Sequence, residues 1–390
     1  AFTHLHIGCG RDVGRWEYFF TADKQQLSFL DYDKLAEEAV VNESLIDELT
    51  EAASRDVGGS LQRFLLNYES KDPGLKQRIC SSAGLRTLPS LLRDLSPEAR
   101  SIRRMRLFVG SPKCYIPGSS IKGALRSAYV SNLIENSKYK EEFMPRDSHA
   151  DDFTNLRMLR ERMQKTFRNS SEDTRFFENL IVRDSSAIDS QQMGIASIGL
   201  FGSSKKSSQN NDRPKAGNDS DEYAEVMLAD TKFQIEISLR TCRSYALPLS
   251  GVEQLMQISD HFFRQVWAAE RANQQSLKSQ GKGVKDTLDF YEGAQTQIPD
   301  DCYLLRVGYG TGQMAHSVLL NYRNHYAKEF GQRADHPLRH SSIYARKRPE
   351  LKARDPYPFT SRSALAGERE QGLPPGWILV SKNLEIQNED

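Results

Sequence analysis

Residues 115–126 read Tyr115-Ile-Pro-Gly-Ser-Ser-Ile-Lys-Gly-Ala-Leu-Arg126, and this stretch decides how the neighbouring chain folds. The proline–glycine pair ends any preceding strand, and Ser119 or Ser120 can cap a following helix by accepting a hydrogen bond from an early backbone N–H. Apolar residues then recur on one helical face as far as Leu133. The sequence therefore predicts a glycine turn that leads into an amphipathic helix.

The same turn carries groups that suit an anion. It combines free N–H groups at a helix N-terminus, two hydroxyls, Lys122 and Arg126, and such a combination favours a phosphate. The residue order of a Walker A loop is absent. An ordinary capped helix packed on a sheet remains the alternative interpretation.

The composition is that of a globular protein rather than of a polycation or a membrane protein. The 390 residues suffice for two domains with their own cores, and the formal net charge is +1, so nucleic-acid contacts must come from local patches. No apolar run approaches a membrane span, and no signal peptide is visible. Five scattered cysteines without a Cys-x-x-Cys pair argue against a zinc site or a disulfide framework and favour a reducing cytoplasm. The chain begins at Ala1 partway into a predicted strand, which suggests that residues precede it.

Two histidines mark the first predicted strand. Phe2–Gly10 is predicted to be the end of a strand that enters a glycine turn, with His4 and His6 on one face. Such a pair could ligate a metal or act in RNA cleavage, but no matching carboxylate or cysteine cluster accompanies it, so structural or RNA-contacting histidines are favoured. A β-hairpin is expected across residues 16–30, and a helix is expected to open at Asp33.

The stretch from Arg86 to Arg126 is strongly basic. Nine lysines and arginines lie in it against two acids, Asp94 and Glu98. A run of charge is usually a solvated face, but this one leads into the phosphate-friendly turn. A groove that binds a nucleic-acid backbone is therefore an equal alternative.

Helices and strands are expected to alternate in the middle of the chain. A helix is expected at 156–167 and a buried strand at Phe176–Asp184, and Lys232–Arg240 alternates apolar and polar residues as a strand does. Residues Gly202–Glu222 are almost purely polar and small, so they are expected to form a disordered loop.

A boundary is expected near residues 244–251, where Pro248 and Gly251 interrupt the pattern. It divides the chain into a predicted N-terminal domain, 1–245, and a predicted C-terminal domain, 246–390. An amphipathic helix follows the boundary.

The C-terminal part contains a second glycine turn. A strand at Tyr303–Val307 leads into Gly308-Tyr-Gly-Thr-Gly312, and a helix is expected from Gln313 to about Lys328. The three glycines form a second backbone cradle, although their spacing fails the dinucleotide-binding fingerprint. Residues 339–354 are basic and predicted to be irregular, and a last strand is expected near 374–380.

Together these motifs resemble the RAMP superfamily of CRISPR-associated proteins, most closely the Csm-type subunit that caps the crRNA 3′-end side of type III-A effector complexes. The resemblance follows the family's order along nearly the whole chain, and the turn Pro-Gly-Ser-Ser-x-Lys-Gly is its most specific part. The matching segments are His6–Gly10, Tyr18–Asp31, Ile116–Arg126, Leu180–Asp184, Phe233–Ile237, Arg306–Gly312 and Pro375–Trp377. The insertion at 202–222 and the truncated first strand depart from the family pattern.

The resemblance implies an α+β protein with two ferredoxin-like (RRM-like) RAMP domains, helical insertions and no catalytic residue, cofactor or metal. It would bind crRNA beside a backbone RAMP subunit and a small helical subunit, meet target RNA through the complex, and support crRNA maturation and antiviral interference. Glycine-rich loops and cations would hold RNA phosphates without reading sequence, so that many spacers are accepted. The residues expected to bind RNA are Lys113, Gly118, Ser119, Ser120, Lys122, Arg126, Arg306, Gly308, Gly310, Gly312 and Gln313.

Two alternatives stay open. One is a RAMP endoribonuclease that processes crRNA, with His4 or His6 as general acid or base and Lys122 or Arg126 stabilising the phosphorane. The other is a backbone RAMP subunit that repeats along the guide and carries a target-cleaving aspartate. The aspartates near the right region are Asp12, Asp31 and Asp33.

Overall fold

The structure is a computed structural model. It describes residues 1–14, 17–20, 26–54, 64, 72, 74–86, 101–109, 111, 113–136, 176–202, 222–240, 249, 251–277, 282–312, 314–316, 320–321, 324, 360–365 and 373–381. Helices and strands are mixed along these residues, which confirms the α+β class. The α-helices whose bounds the structure describes are α1 (Tyr32–Val41), α2 (Glu43–Ser54), α3 (Leu75–Ile79), α4 (Gly118–Asn136), α5 (Val252–Leu277) and α6 (Lys282–Ala294).

The strands form one large sheet and two small ones. They are β1 (Gly8–Val13), β2 (Tyr18–Phe20), β3 (Gln26–Leu30), β4 (Cys80–Arg86), β5 (Ile102–Met105), β6 (Leu180–Val182), β7 (Met193–Gly202), β8 (Glu222–Met227), β9 (Ile237–Leu239), β10 (Cys302–Arg306), β11 (Thr360–Leu365) and β12 (Trp377–Ser381). The large sheet follows the order β1-β5-β8-β7-β4-β3-β2, and β11 pairs with β7 beside that path. The pairs β6–β9 and β10–β12 are antiparallel.

The amphipathic pattern of α4 is confirmed by its packing. Ile121, Leu125 and Ala128 are fully buried, and α4 packs against α5. Apolar residues spaced three and four apart share one helical face, so burying this stripe holds the helix on the core. The hairpin β2–β3, the helix α5 and the strands β10 and β12 also agree with the sequence patterns.

One hydrophobic cluster contains residues from both sides of the predicted domain boundary, from Leu5 to Ile378. The first residues of the chain join the two halves, because Phe2 stacks on Trp267 with ring centroids 6.2 Å apart and its N–H donates to the Trp377 carbonyl at 2.9 Å. The boundary between 1–245 and 246–390 stays a prediction. If it holds, the two domains are joined by a shared core.

The first strand starts later than predicted. Residues before Gly8 are not in a ladder, apart from an isolated bridge between Leu5 and Met227, and β1 begins at Gly8 and runs through Gly10 instead of ending there. The register of β1 against β5 shifts between Gly8 and Asp12, and Gly10 has a φ of 82°. The glycines therefore make a bulge within the strand.

Two predicted strands are shorter than their sequence patterns suggested. In the segment Phe176–Asp184, residues 176–179 are helical and only Leu180–Val182 form β6. In Lys232–Arg240, only Ile237–Leu239 form β9. The residues before β9 still bond across to the segment after β6, since the N–H groups of Arg183 and Ser186 donate to the carbonyls of Glu236 and Gln234 at 3.0 and 2.9 Å.

The polar segment predicted as a loop connects two paired strands. Its end residues Gly202 and Glu222 lie in β7 and β8, which form an antiparallel hairpin, so the predicted loop bounds were one residue too wide at each end. Residues 203–221, the predicted helix at 156–167 and the basic stretch 339–354 lie outside the described residues.

Candidate nucleic-acid interface

The start of α4 is fixed by a partner far along the chain. The Gly118 N–H donates to Asp184 Oδ1 at 2.8 Å, and the Ser120 N–H donates to the Pro117 carbonyl at 2.9 Å. A carboxylate at a helix N-terminus satisfies an orphan N–H and complements the helix dipole. The expected serine cap is thus replaced by Asp184, and the Gly118 N–H is already bonded.

Gly118 itself is buried against β6. A Cβ at this position would lie 2.7 Å from the Arg183 carbonyl oxygen and closer still to that of Val182. Glycine is therefore required for the helix to approach the strand, and Gly118 does not face an incoming RNA. Ser119, in the same first turn, is exposed.

The two cations of α4 have different surroundings. Lys122 is half-buried, and its Nζ donates to the Leu180 carbonyl at 2.7 Å. Burial, and then the nearby Arg126, lower the pKa of Lys122. Arg126 is exposed, with its guanidinium carbon 6.0 Å from the Phe177 ring centroid. Lys122 thus ties α4 to β6, whereas Arg126 faces solvent and can meet a phosphate.

A second pair of groups beside α4 was not predicted as a site. Arg106 is exposed, and a hydrogen bond with Tyr115 is the main cause that raises its pKa. Tyr115 also stacks on Phe108, with ring centroids 4.4 Å apart. Lys113 is exposed and forms a 3.2 Å ion pair with the exposed Asp189, a kind of contact that water screens strongly.

We name a set of side chains from α4 and from the segment that leads into it the α4 surface. It offers guanidinium and ammonium groups, a hydroxyl and an aromatic ring, which are the groups that contact phosphates and unpaired bases. Its members are Arg106, Lys113, Tyr115, Ser119 and Arg126.

The second glycine turn packs against the first residues of the chain. Gly308, Gly310 and Gly312 have φ values of 93°, 82° and 78°, the left-handed region that glycine tolerates. A Cβ on Gly308 would lie 2.9 Å from Leu5 Cδ1 and closer still to the His6 carbonyl oxygen. The Tyr309 N–H donates to that same carbonyl at 2.8 Å. Gly308 thus serves internal packing, while Gly312 is exposed.

Arg306, which was expected to contact RNA, lies inside the protein. It is 2% exposed, its guanidinium forms an ion pair with Glu270, and its Nε donates to the Pro375 carbonyl at 3.1 Å. The guanidinium carbon also lies 4.8 Å from the Trp377 ring centroid. The Arg306 charge is thus used inside the protein, which disfavours the predicted RNA contact.

The residues after the glycine turn differ from expectation. Gln313 lies outside the described residues, and residues 314–316 form turns, so the helix expected to begin at Gln313 does not begin there in the described part of the chain. Helical residues appear at 320–321 and 324.

Both N-terminal histidines are buried and bonded to backbone groups. His6 Nδ1 lies 2.6 Å from the Glu225 carbonyl oxygen, and because a carbonyl only accepts, Nδ1 carries the proton. Burial is the largest cause that lowers the pKa of His6. His4 Nδ1 accepts from the Ala229 N–H at 3.1 Å. Both rings are buried, which disfavours His4 and His6 as the acid or base of the endoribonuclease alternative.

The three aspartates of the other alternative have separate positions. Asp31 caps α1, since its Oδ1 accepts from the Lys34 N–H at 3.3 Å, and Asp33 lies in the first turn of that helix. Asp12 lies exposed on β1. Asp31 and Asp33 thus support the start of α1. Of the three, only Asp12 lies on β1. The residue before that strand, Ile7, accepts a hydrogen bond from the N–H of Arg106, a member of the α4 surface.

Other reactive groups are buried in structural pairs. Glu225 is buried and accepts hydrogen bonds from Arg104 Nε and the Met105 N–H, both at 2.9 Å. Burial, and then the Glu225 charge, raise the pKa of Cys114, so its thiol stays protonated. In the described residues, no group of three or more His, Cys, Asp or Glu side chains could hold a metal ion. None of the described helices is long and apolar enough to cross a membrane.

Sequence reasoning missed Asp184 as the cap of α4 and the Arg106–Tyr115 pair as part of the α4 surface. Asp184 lies 66 residues from its partner Gly118, and no local pattern links the two. Arg106 stands within the basic run, which was a usable signal for it, although nothing in the run singled it out from its neighbours.

Relatives of this chain are found both by sequence and by structure. Over 140 residues it is 28% identical to the CRISPR system Cms protein Csm5 of Methanocaldococcus jannaschii, an alignment that covers 35% of this chain and 30% of that relative. The chain thus spans about a third of the length of this curated relative.

Two solved structures have a similar fold. One is a chain of the cryo-EM structure of a Csm–crRNA–target RNA ternary complex in a type III-A CRISPR-Cas system, with a TM-score of 0.63, 17% identity, and coverage of 97% of this chain and 98% of that one. The other is the crystal structure of T. onnurineus Csm5, with a TM-score of 0.58, 16% identity and the same coverage. At these identities the likeness shows the fold. The RAMP superfamily model matches residues 1–314, most of the sequence, and the chain therefore belongs to the RAMP superfamily.

Proposed function

We propose that this chain is a crRNA-binding, non-catalytic subunit of a type III CRISPR RNA-guided effector complex, which caps the 3′-end side of the guide and supports crRNA maturation and antiviral interference. Membership of the RAMP superfamily supports this, as does the fold likeness over 97% of the chain to a protein from a Csm–crRNA–target RNA complex. Its partners would be crRNA, a backbone RAMP subunit and a small helical subunit, with target RNA met through the complex in the cytoplasm.

The α4 surface is the observation that carries the RNA-binding part of this proposal. Arg106 and Lys113 are exposed in the segment before α4, and Arg126 is exposed about two turns into that helix, so each could hold a phosphate. Contacts to phosphates do not read bases, which suits a subunit that accepts guides of any spacer sequence. Tyr115, half-buried beside them, offers a ring edge for an unpaired base.

We revise the set of residues proposed to contact RNA according to their exposure and their contacts within the protein. Lys113, Ser119 and Arg126 stay in the proposed set as exposed side chains, and Gly310 and Gly312 stay in it as backbone in a left-handed turn. Ser120 and Lys122 are half-buried and contribute at the margin. Gly118, Gly308 and Arg306 leave the set because each is used by an internal contact, and we add Arg106 and Tyr115.

The two alternatives are separated by simple measurements. The burial of His4 and His6 argues against either ring as a general acid or base, so a His4→Ala variant that still folds should process precursor crRNA as the wild type does. A backbone subunit would be present in several copies in one complex. Native mass spectrometry that finds a single copy of this chain favours the capping position.

The first experiment asks which RNA accompanies the chain. It is co-expressed with the proteins encoded beside it and a repeat–spacer array, purified through a tag on this chain, and the bound RNA is sequenced. We expect short RNAs with a repeat-derived 5′ tag and a spacer, and longer 3′ ends or lost complexes when this subunit is left out. Recovery without a discrete RNA and without partner subunits would overturn the proposal.

A second experiment asks whether the α4 surface holds the RNA. In filter binding over a series of salt concentrations, Arg126→Ala should lower the affinity and reduce the salt slope by about 0.7, the value for one phosphate contact on a single strand. Arg264→Ala is the control, since Arg264 is an exposed arginine on α5 that pairs with Asp260. Equal affinity and slope in both variants would exclude Arg126 from the interface.

A further inference from the structure

The exposed large apolar side chains of the described residues are concentrated at one corner of the protein, which is formed by α1 and α2. The described part of the chain exposes five large hydrophobic residues, and four of them lie between positions 32 and 46. Val40 and Val41, in the last turn of α1, are 81% and 84% exposed, and Ile46, in the first turn of α2, is 48% exposed. Single exposed apolar residues are ordinary, but a contiguous group marks an interaction surface.

The same corner is strongly acidic. Residues 31–54 contain eight aspartates and glutamates against the single cation Lys34, a net charge of −7 in a chain whose formal net charge is +1. Asp33 and Glu37 are exposed on α1, as the valines are, and Asp47 is exposed on α2. Not all the charge is available, because Glu38 forms an ion pair with Arg78 at 2.8 Å and Asp31 caps α1.

The corner is also remote from the α4 surface in the order of the sheet. The helices α1 and α2 are inserted between β3 and β4, towards the β2 end of the sheet path. The α4 surface borders β1 and β5, which lie at the opposite end of that path. The two surfaces can therefore be occupied at the same time by different partners.

We propose that this corner of α1 and α2 docks a protein partner whose contact face has an apolar centre ringed by lysine and arginine. Val40, Val41 and Ile46 would form the dry centre of the interface, and the exposed carboxylates would pair with the cations of the partner at its rim. The inference goes beyond RNA binding, and it rests on the proposed function only in placing the partner within the same complex.

Charge decides between this partner and the other possible occupants. A nucleic-acid backbone would be repelled by the excess of carboxylates on α1 and α2, which remains after Glu38 has paired with Arg78, so RNA is disfavoured. A second copy of this chain would bring the same acidic face against itself in a two-fold interface, which like-charge repulsion opposes. A basic protein face is the one occupant for which both the apolar centre and the charged rim are favourable.

The test uses the purified complex, assembled from the full chain and its co-encoded proteins. A photo-crosslinking amino acid replaces Val41, and in the control it replaces Val109, which is also fully exposed but follows β5. We expect the probe at Val41 to give one protein adduct that maps to a lysine- and arginine-rich segment of another subunit. The probe at Val109 should not label that segment.

Charge reversal provides a second readout. Glu37→Lys combined with Asp47→Lys should lower recovery of the crosslinked subunit at physiological salt by at least about tenfold, because like charges then face each other. Asp289→Lys with Glu292→Lys changes the charge by the same amount on exposed positions of α6 and should leave recovery unchanged. The crRNA content of the complex should not change in either variant.

Several outcomes would overturn the inference. They are an adduct of the Val41 probe with RNA, an adduct with a second copy of this chain, no adduct in a complex that contains crRNA, or equal recovery after both charge reversals. A purified chain that carries neither RNA nor partner subunits would instead overturn the proposed function, so the two failures can be distinguished.

Discussion

The packing at Gly118 predicts that glycine-to-alanine changes at two positions of α4 will change the free energy of unfolding in opposite directions. We consider Gly118→Ala and, as a matched control, Gly123→Ala, one and a half turns later in α4. A Cβ on Gly118 would lie 2.7 Å from the Arg183 carbonyl oxygen and nearer to that of Val182. An ordinary contact needs about 3.4 Å, so α4 and the end of β6 must move apart by roughly 0.7 Å or more.

The magnitude follows from what this movement breaks. Overpacking of this kind costs about 1–3 kcal/mol. The displaced helix start also weakens the hydrogen bond from the Gly118 N–H to Asp184, worth about 1.5 kcal/mol or more because the acceptor is charged. We expect Gly118→Ala to lower the free energy of unfolding by about 2–4 kcal/mol. Gly123 is exposed with nothing within 4 Å of a Cβ, so Gly123→Ala should raise that free energy by about 0.5–1 kcal/mol.

The assay is equilibrium unfolding in urea, followed by tryptophan fluorescence, with RNA affinity measured on the same preparations. The midpoint should fall for Gly118→Ala and rise slightly for Gly123→Ala. The reasoning is refuted if both variants shift the midpoint in the same direction. It is also refuted if Gly118→Ala unfolds like the wild type but binds RNA less tightly, since Gly118 would then serve the RNA rather than the packing of α4 on β6.

Three further predictions concern the N-terminal segment and its neighbours. Gly308→Ala adds a backbone clash to left-handed strain and should cost about 2–5 kcal/mol, whereas Gly10→Ala, with φ 82° and open space, should cost only about 1–2 kcal/mol in the same urea assay. Glu225→Gln leaves the buried Arg104 unpaired and should destabilise by about 3–5 kcal/mol, as measured by thermal unfolding. Burial lowers the pKa of His6, so the unfolded chain takes up the proton first and stability should fall as pH drops below 6.5, by at most about 1.4 kcal/mol per pH unit. His6→Asn, which can keep the donor to the Glu225 carbonyl, should remove that part of the slope.

Local periodicity predicted the elements that bury one clear face. The helix α4 was expected from Ile121, Leu125 and Ala128, and the structure buries all three. The strand β10 and the hairpin β2–β3 were likewise expected from short apolar runs with turn residues between them. In each case the signal lies within a few residues of the chain, so one sequence is enough to predict it.

Long-range partners could not be predicted in this way. The alternation across Lys232–Arg240 suggested a full strand, but β6 offers a partner for only Ile237–Leu239, and a ladder ends where its neighbour ends. Arg306 was expected to bind RNA as part of Arg306–Gly312, one of the segments that resemble the family. Its true partner, Glu270, lies on α5, and the sequence gives no indication that the two meet.

The two glycine turns illustrate why a motif can be correct for the family and still mislead at single residues. Glycine is needed both where a backbone approaches a ligand and where it approaches the protein's own chain, and a sequence pattern does not distinguish the two. At Gly118 and Gly308 the close neighbours are internal carbonyl groups, so these glycines shape the scaffold. The groups that we propose to bind RNA are then the side chains that this scaffold leaves exposed, above all Arg106 and Arg126. Substitution of the exposed arginines should accordingly lower the affinity for a guide RNA, whereas substitution of the two glycines should lower the free energy of unfolding.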